Sequence, residues 1–248
     1  LPLRGESIEA RAGALEGAGR IDAALDEARS ILQAATVVDH PPLVAEARYA
    51  YGSALERSGD YERARVELGE ALWAALAADA DATVARAGID LLWIEGVSDP
   101  HPERADEWAR HVRAALARSP DAQLEAQLAN ATGAIHAAAG RPAAARADFE
   151  RALAAFEQVE VSPSPNVATA LQNLGIALTD EGRLELAREH LARALDLFEE
   201  TEGPSHPDVA DVLDAQGGVS LRLGDLDAAR QQFHRALVIR RAALGDDH

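Results

Sequence analysis

Apolar positions along the chain recur every three to four residues. Ala229, Phe233, Ala236 and Leu237 stand at i, i+4, i+7 and i+8, the spacing of one helical face. No useful stretch alternates with period two, so essentially no strand is predicted. The helical pattern is also copied along the chain. An offset of 42 residues relates Gly133, Gly175 and Gly217. The same offset relates Gly140, Gly182 and Gly224, then Ala145, Ala187 and Ala229, and then Phe149, Leu191 and Phe233. Ala152, Ala194 and Ala236 keep step, and Gly203-Pro-Ser-His206 returns as Gly245-Asp-Asp-His248. Each unit reads as two helices. The first helix of the last unit runs over about 208–222, opened by Pro207 and stopped by Gly224-Asp225, as expected of N1 proline and C-terminal glycine. Pro42 and Pro165 occupy the matching place in their own units.

The glycines inside the first helices have a physical meaning. Glycine in a helix interior costs about 1 kcal/mol relative to alanine. Gly133, Gly175 and Gly217 accept that cost at one register, and Gly52 joins them. Close approach of a neighbouring helix is the expected reason.

Composition removes many function classes. The chain has 248 residues, no cysteine, no methionine and a net charge of −18. All 24 basic residues are arginine. Thiol chemistry, zinc–thiolate sites and disulfides are excluded, as are P-loop and Schiff-base lysines. The acidic balance opposes binding to nucleic-acid phosphates. No apolar run reaches the roughly 18 residues of a membrane span, and no signal peptide opens the chain. A cytoplasmic location and no membrane partner are expected. The first residue is Leu1, which reads as a piece of a longer protein.

The pattern Leu171-x2-Leu174-Gly175-x2-Leu178, followed by Gly182, Ala187, Leu191 and Ala194, resembles the tetratricopeptide repeat. The 42-residue unit and the Gly-x-x-His-Pro-Asp linker at 203–208 are similar to the kinesin-light-chain variety. Gly52, Gly59, Tyr61, Ala64, Leu68 and Ala71 fit another repeat, and Gly19, Ala24 and Ala28 a weaker first one. The segment 82–118 fits poorly: Trp93 falls near the glycine register, and Gly96–Pro102 lengthens the turn. It counts as a divergent repeat because it fills the gap between Gly52 and Gly133. The resemblance implies an all-α fold, a right-handed α-α superhelix of about six helix-turn-helix repeats in one domain over 1–248. The approximate repeats are 3–38, 42–79, 82–118, 121–158, 164–201 and 206–244.

No catalytic motif appears: there is no H-E-x-x-H, G-x-S-x-G or phosphate-cradling glycine loop. No cofactor or metal is expected. Asp79-x-Asp81 opens like a calcium loop, but Val84 stands where glycine is required. His40, His101 and His206 each precede a proline at a turn and read as linker residues. His136, within a first helix, reads as a satisfied core or groove histidine. Trp73, Trp93, Trp108, Phe149 and Phe233 are expected in the core, whereas Tyr49 lies off the packing register and is expected to be exposed.

The resemblance implies that first helices line a concave face that binds peptides or proteins. Positions three before, two before, one after and four after each anchor glycine project there. They give Glu9, Gly13 and Glu16; Tyr49, Ser53 and Glu56; Asn130, Ala131 and Ala134; Gln172, Asn173, Ile176 and Thr179; and Asp214 and Leu221. Glu46, Arg57, Asp180, Asp211 and Arg222 rim the set. Side-chain amides pair with a peptide backbone as donor and acceptor. Acidic groove ends favour a partner carrying basic residues. The main series, Glu9, Tyr49, Asn130, Gln172 and Asp214, lacks the cations with which related repeats clamp a chaperone's terminal carboxylate. The expected function is therefore a non-catalytic protein-binding module. The Ala/Arg-rich units with His-Pro linkers are similar to the repeats of bacterial serine/threonine kinases. The sensor arm of a transcription regulator and a scaffold that self-associates through its repeat ends are the alternatives.

Overall fold

The structure, a computed structural model, describes residues 21–38, 40–98, 101–160 and 163–244. Among these residues there are eleven α-helices and no strand, the all-α repeat fold expected from the periodicity. The helices are α1 (Ile21–Val38), α2 (Pro41–Arg57), α3 (Tyr61–Ala77), α4 (Asp81–Trp93) and α5 (Pro102–Arg118). They continue with α6 (Ala122–Ala138), α7 (Pro142–Val159), α8 (Pro165–Asp180), α9 (Leu184–Thr201), α10 (Pro207–Leu223) and α11 (Leu226–Leu244). The chain divides into two compact units, Leu1–Leu124 and Glu125–His248, with the division in the first turn of α6.

Local chemistry sets the helix ends. Pro41, Pro165 and Pro207 open α2, α8 and α10, where a missing N–H removes no helical bond. Two of the histidines read as linker residues cap the helices that follow them. His40 Nδ1 accepts from the Leu43 amide at 3.3 Å, and His206 Nδ1 from the Asp208 amide at 3.3 Å. Each thereby satisfies a first-turn N–H that has no helical acceptor. Gly59, Gly140, Gly182 and Gly224, at the turns between paired helices, have φ between +68° and +84°, a region that side chains with a Cβ avoid.

The first helix of each pair packs closely on the second. A methyl group on Gly52 would lie 2.8 Å from Leu68 Cγ. On Gly133 it would lie 2.6 Å from Phe149 Cε1, on Gly175 2.6 Å from Leu191 Cγ, and on Gly217 2.5 Å from Phe233 Cε1. The pairs α2–α3, α6–α7, α8–α9 and α10–α11 therefore meet with a large side chain of the second helix against bare backbone of the first. In the unit Glu125–His248, the core around these contacts includes Phe149, Phe156, Leu171, Leu191, Phe198 and Val212.

The segment 82–118 is corrected by the same geometry. Gly88, not a residue near Trp93, is its anchor: a methyl there would meet Val112 Cγ2 at 2.5 Å. Sixteen residues separate glycine from partner in the other pairs and twenty-four separate Gly88 from Val112. The difference, 24 − 16 = 8, is an insertion at the turn. There α4 passes into a π-helical turn, Ile94–Ser98. Its Glu95 side chain is 1 % exposed and is held by Arg65 Nε at 2.9 Å, His101 Nδ1 at 3.1 Å and Arg104 Nη1 at 3.5 Å. Such convergence offsets the desolvation of a buried carboxylate.

The expectation of a buried aromatic set also changes. Trp73 is not in the core but 47 % exposed, its ring 6.1 Å from Trp108 and 5.2 Å edge-on to His111. It stands on the register of Ala154, Asp196 and Val238, which all face solvent. Trp93, Trp108 and Phe233 are partly buried, while Phe149 is buried.

These contacts make opposite predictions for different glycines. Gly175→Leu overpacks the α8–α9 contact and should lower stability by about 1–3 kcal/mol in urea unfolding. A methyl group on Gly69 of α3 would meet nothing within 4 Å, so Gly69→Ala should raise stability by up to about 1 kcal/mol. Equal effects at both sites would refute the close-packing account. Glu95→Ala removes the buried partner of Arg65 Nε and leaves that guanidinium its exposed contact with Glu62; it should cost about 3 kcal/mol in the same assay.

Candidate functional site

Within the unit Glu125–His248, the projected residues stand on the first helices α6, α8 and α10. Adjacent first helices meet so that the residue three before one anchor glycine lies beside the residue two before the next. Asn130 and Asn173 occupy these places, and Asn173 Nδ2 donates to Asn130 Oδ1 at 3.1 Å. Gln172 is half-buried next to this pair, Ala134 is half-buried, and Ile176 is 39 % exposed. Thr179 is turned back on its own helix and donates to the Gly175 carbonyl at 2.7 Å. Asp214 is tied up by Arg240, whose other Nη donates to Asp211 at 2.8 Å. Arg222 donates to the Thr179 carbonyl. Ala131 departs from the projection, since it is 2 % exposed and sits in the core.

Within the unit Leu1–Leu124, the same register pairs α2 with α4. Tyr49 is half-buried rather than exposed, because the Arg86 guanidinium lies 5.2 Å over its ring. Ser53 is buried and accepts from Arg57 Nη1 at 3.0 Å. Glu56 is half-buried beside it. The projected Glu9, Gly13 and Glu16 lie outside the described residues.

Asp90 of α4 completes this second cluster and was missed by the projection. It is two residues after Gly88, where the other first helices carry Ala54, Ile135, Ala177 and Val219. With Trp93 taken as the anchor, the register could not place it. Its Oδ2 is shut off from solvent and has no hydrogen-bond partner among the described residues. Burial pushes its carboxyl up to about 7, and the neighbouring Glu56 charge adds to the shift. The Ser53 hydroxyl, the Arg57 cation and the Tyr49 hydroxyl oppose it. His136 of α6 lies 2.9 Å from the buried Asp148 of α7, so it serves the packing of its helix pair. Among the described residues, no cluster of carboxylates and imidazoles has the arrangement of a metal site.

Comparison with known proteins bears on this repeat geometry. Models of the tetratricopeptide repeat match residues 9–82, 126–166 and 166–242. Together these cover well over half of the sequence. The chain belongs to the tetratricopeptide-repeat family. Repeats of this family are protein–protein interaction modules. No curated protein matches by sequence. Similar solved structures include BtubC (BKLC) from P. vanneervenii, 20 % identical with a TM-score of 0.61, over 98 % of this chain and 94 % of that one. A Rap protein complexed with Competence and Sporulation Factor is 14 % identical with a TM-score of 0.68, over 95 % of this chain and 74 % of that one. The signal-transduction ATPase PH0952 from Pyrococcus horikoshii, which has a tetratricopeptide-repeat sensor, is 14 % identical with a TM-score of 0.67. That match covers 98 % of this chain and 36 % of the ATPase. At these identities the likeness is one of fold.

The Asp90 position of this tetratricopeptide-repeat chain gives a pH dependence with a defined sign. The folded carboxyl titrates near 7 and the unfolded one near its ordinary value of 3.8. The folded state thus holds its proton more tightly, and stability falls as pH rises between these values. Above pH 7 the loss is complete. Relative to Asp90→Asn, the native chain should lose about 1 kcal/mol per pH unit between pH 5 and 7, with little further change by pH 8. Parallel stability–pH curves for the two proteins would refute the assignment.

Proposed function

We propose that this chain is a non-catalytic module that holds an extended peptide, or an extended segment of a protein, against the inner helices of its repeats. The observation that carries the reading is the Asn130–Asn173 amide pair on α6 and α8. One donor and one acceptor are used within the pair. The remaining amide groups of Asn130 and Asn173 offer the complementary donor and acceptor that a peptide unit requires. Gln172 and Asn173 are half-buried rather than fully solvated, so little side-chain entropy is left to lose on binding. In the other unit the half-buried Tyr49 and Glu56 stand at the corresponding positions, with the buried Ser53 between them and Asp90 beside them. A net charge of −18 favours a partner carrying basic residues.

No described helix is long and apolar enough to cross a membrane, and the cysteine-free composition accords with a cytoplasmic place. We read the chain as part of a larger bacterial signalling protein such as a serine/threonine kinase, on the resemblance of its 42-residue units. The fold likeness to the repeat sensor of the PH0952 ATPase favours a sensor arm as the second reading. The exposed Leu237 and Val238 of α11 support a third, pairing between copies at the repeat end.

Selection of displayed random dodecapeptides on the full chain, followed by calorimetric titration, tests the binding role. Asn173→Ala and Asn130→Ala should each weaken a selected peptide about tenfold, the equivalent of about 1.4 kcal/mol, with the melting temperature nearly unchanged. Failure to select any peptide, or equal binding by both variants, would overturn it.

A further inference from the structure

Gly218 of α10 has no packing reason to be glycine. Its neighbour Gly217 faces Phe233, but a methyl group on Gly218 would have nothing within 4 Å. Glycine in a helix interior is disfavoured relative to alanine through backbone entropy and backbone exposure. Absence of a side chain on an open face leaves room for another backbone to approach closely.

Gly218 stands one residue after the anchor, the register of Ala134 on α6 and Ile176 on α8. Leu221, one turn further along α10, is 50 % exposed. Ile176 and Leu221 are thus large aliphatic side chains facing solvent on adjacent inner helices, with Gly218 one turn before Leu221. The amides of Asn130, Gln172 and Asn173 border this strip on one side. Asp180 lies at the other, one turn after Ile176, exposed and with no hydrogen-bond or ion-pair partner among the described residues. The nearby cations are otherwise engaged: Arg222 with the Thr179 carbonyl, and Arg240 with Asp211 and Asp214.

We infer that the inner face of α8 and α10 recognises an extended protein segment with an aliphatic side chain on the Ile176–Leu221 strip and a neighbouring Lys or Arg at Asp180. The segment's backbone passes over Gly218. This specificity rests on the peptide-binding reading of the same face. The aliphatic side chain gains burial against surface already exposed on the free protein. The cation complements a carboxylate that has no internal partner among the described residues, which confers selectivity more than affinity.

The dodecapeptides selected on the full chain are the probe. They should share an aliphatic residue and a Lys or Arg at constant spacing. Gly218→Leu should fill the strip and weaken them at least tenfold without lowering the melting temperature. Asp180→Arg should weaken them about tenfold and, in a fresh selection, exchange the basic preference for an acidic one. If peptides are selected and depend on Asn130 and Asn173, yet bind Gly218→Leu as well as the native chain, the binding role stands and this specificity falls. Selected peptides without the aliphatic–basic pattern would overturn it equally. If no peptide is selected, both fail.

Discussion

The structure depends on one repeated contact: a large side chain of the second helix pressed on a glycine of the first. Leu68, Val112, Phe149, Leu191 and Phe233 each meet such a glycine. The contact brings two helix backbones together and buries a bulky apolar group with little space lost. A helix hairpin of this size has too little core to be stable alone. Stacked neighbours within each unit add the remaining burial, as repeat proteins require. Surface ion pairs repeat with the same period, Glu157–Arg193 and Glu199–Arg235, but they are exposed and contribute little.

That packing decides which residues are available for binding. The face of each first helix that carries the anchor glycine is consumed by its partner helix. The opposite face is left for neighbouring first helices and for a ligand. Asn130 and Asn173 therefore meet across α6 and α8, and Tyr49 and Arg86 across α2 and α4. One register yields two different surfaces. The later unit presents amides beside aliphatic groups, whereas the earlier one holds a carboxyl, Asp90, at a position elsewhere filled by alanine, isoleucine or valine. The repeat is a scaffold with fixed addresses, and the chemistry differs from one address to the next.

The departures from regularity are local and have local causes. Eight extra residues between Gly88 and Val112 remove the usual glycine turn. The π-helical turn that replaces it buries Glu95; the Arg65 and Arg104 guanidinium groups neutralise that carboxylate, and His101 lies beside it. The helix pair keeps its glycine contact despite the insertion. An insertion at a turn changes the path between helices without changing how they meet.

The sequence by itself determined the all-helical repeat, the paired helices and the glycine contacts at 52, 133, 175 and 217. A period of 42 residues exposes the positions that packing holds constant. Counting around a helix gave the projected face, of which Ala131 and Ser53 are buried in the structure. Tertiary structure alone decided the rest. Gly88 was hidden because its partner lies eight residues beyond the usual spacing, and Asp90 was hidden with it. Tyr49 looked exposed because its cover, Arg86, comes from a different helix. Trp73 looked like core because an aromatic side chain is apolar wherever it stands. Periodicity reports which face of one helix a residue occupies. What lies across from that face is set by the neighbouring helix, and one sequence window does not contain it.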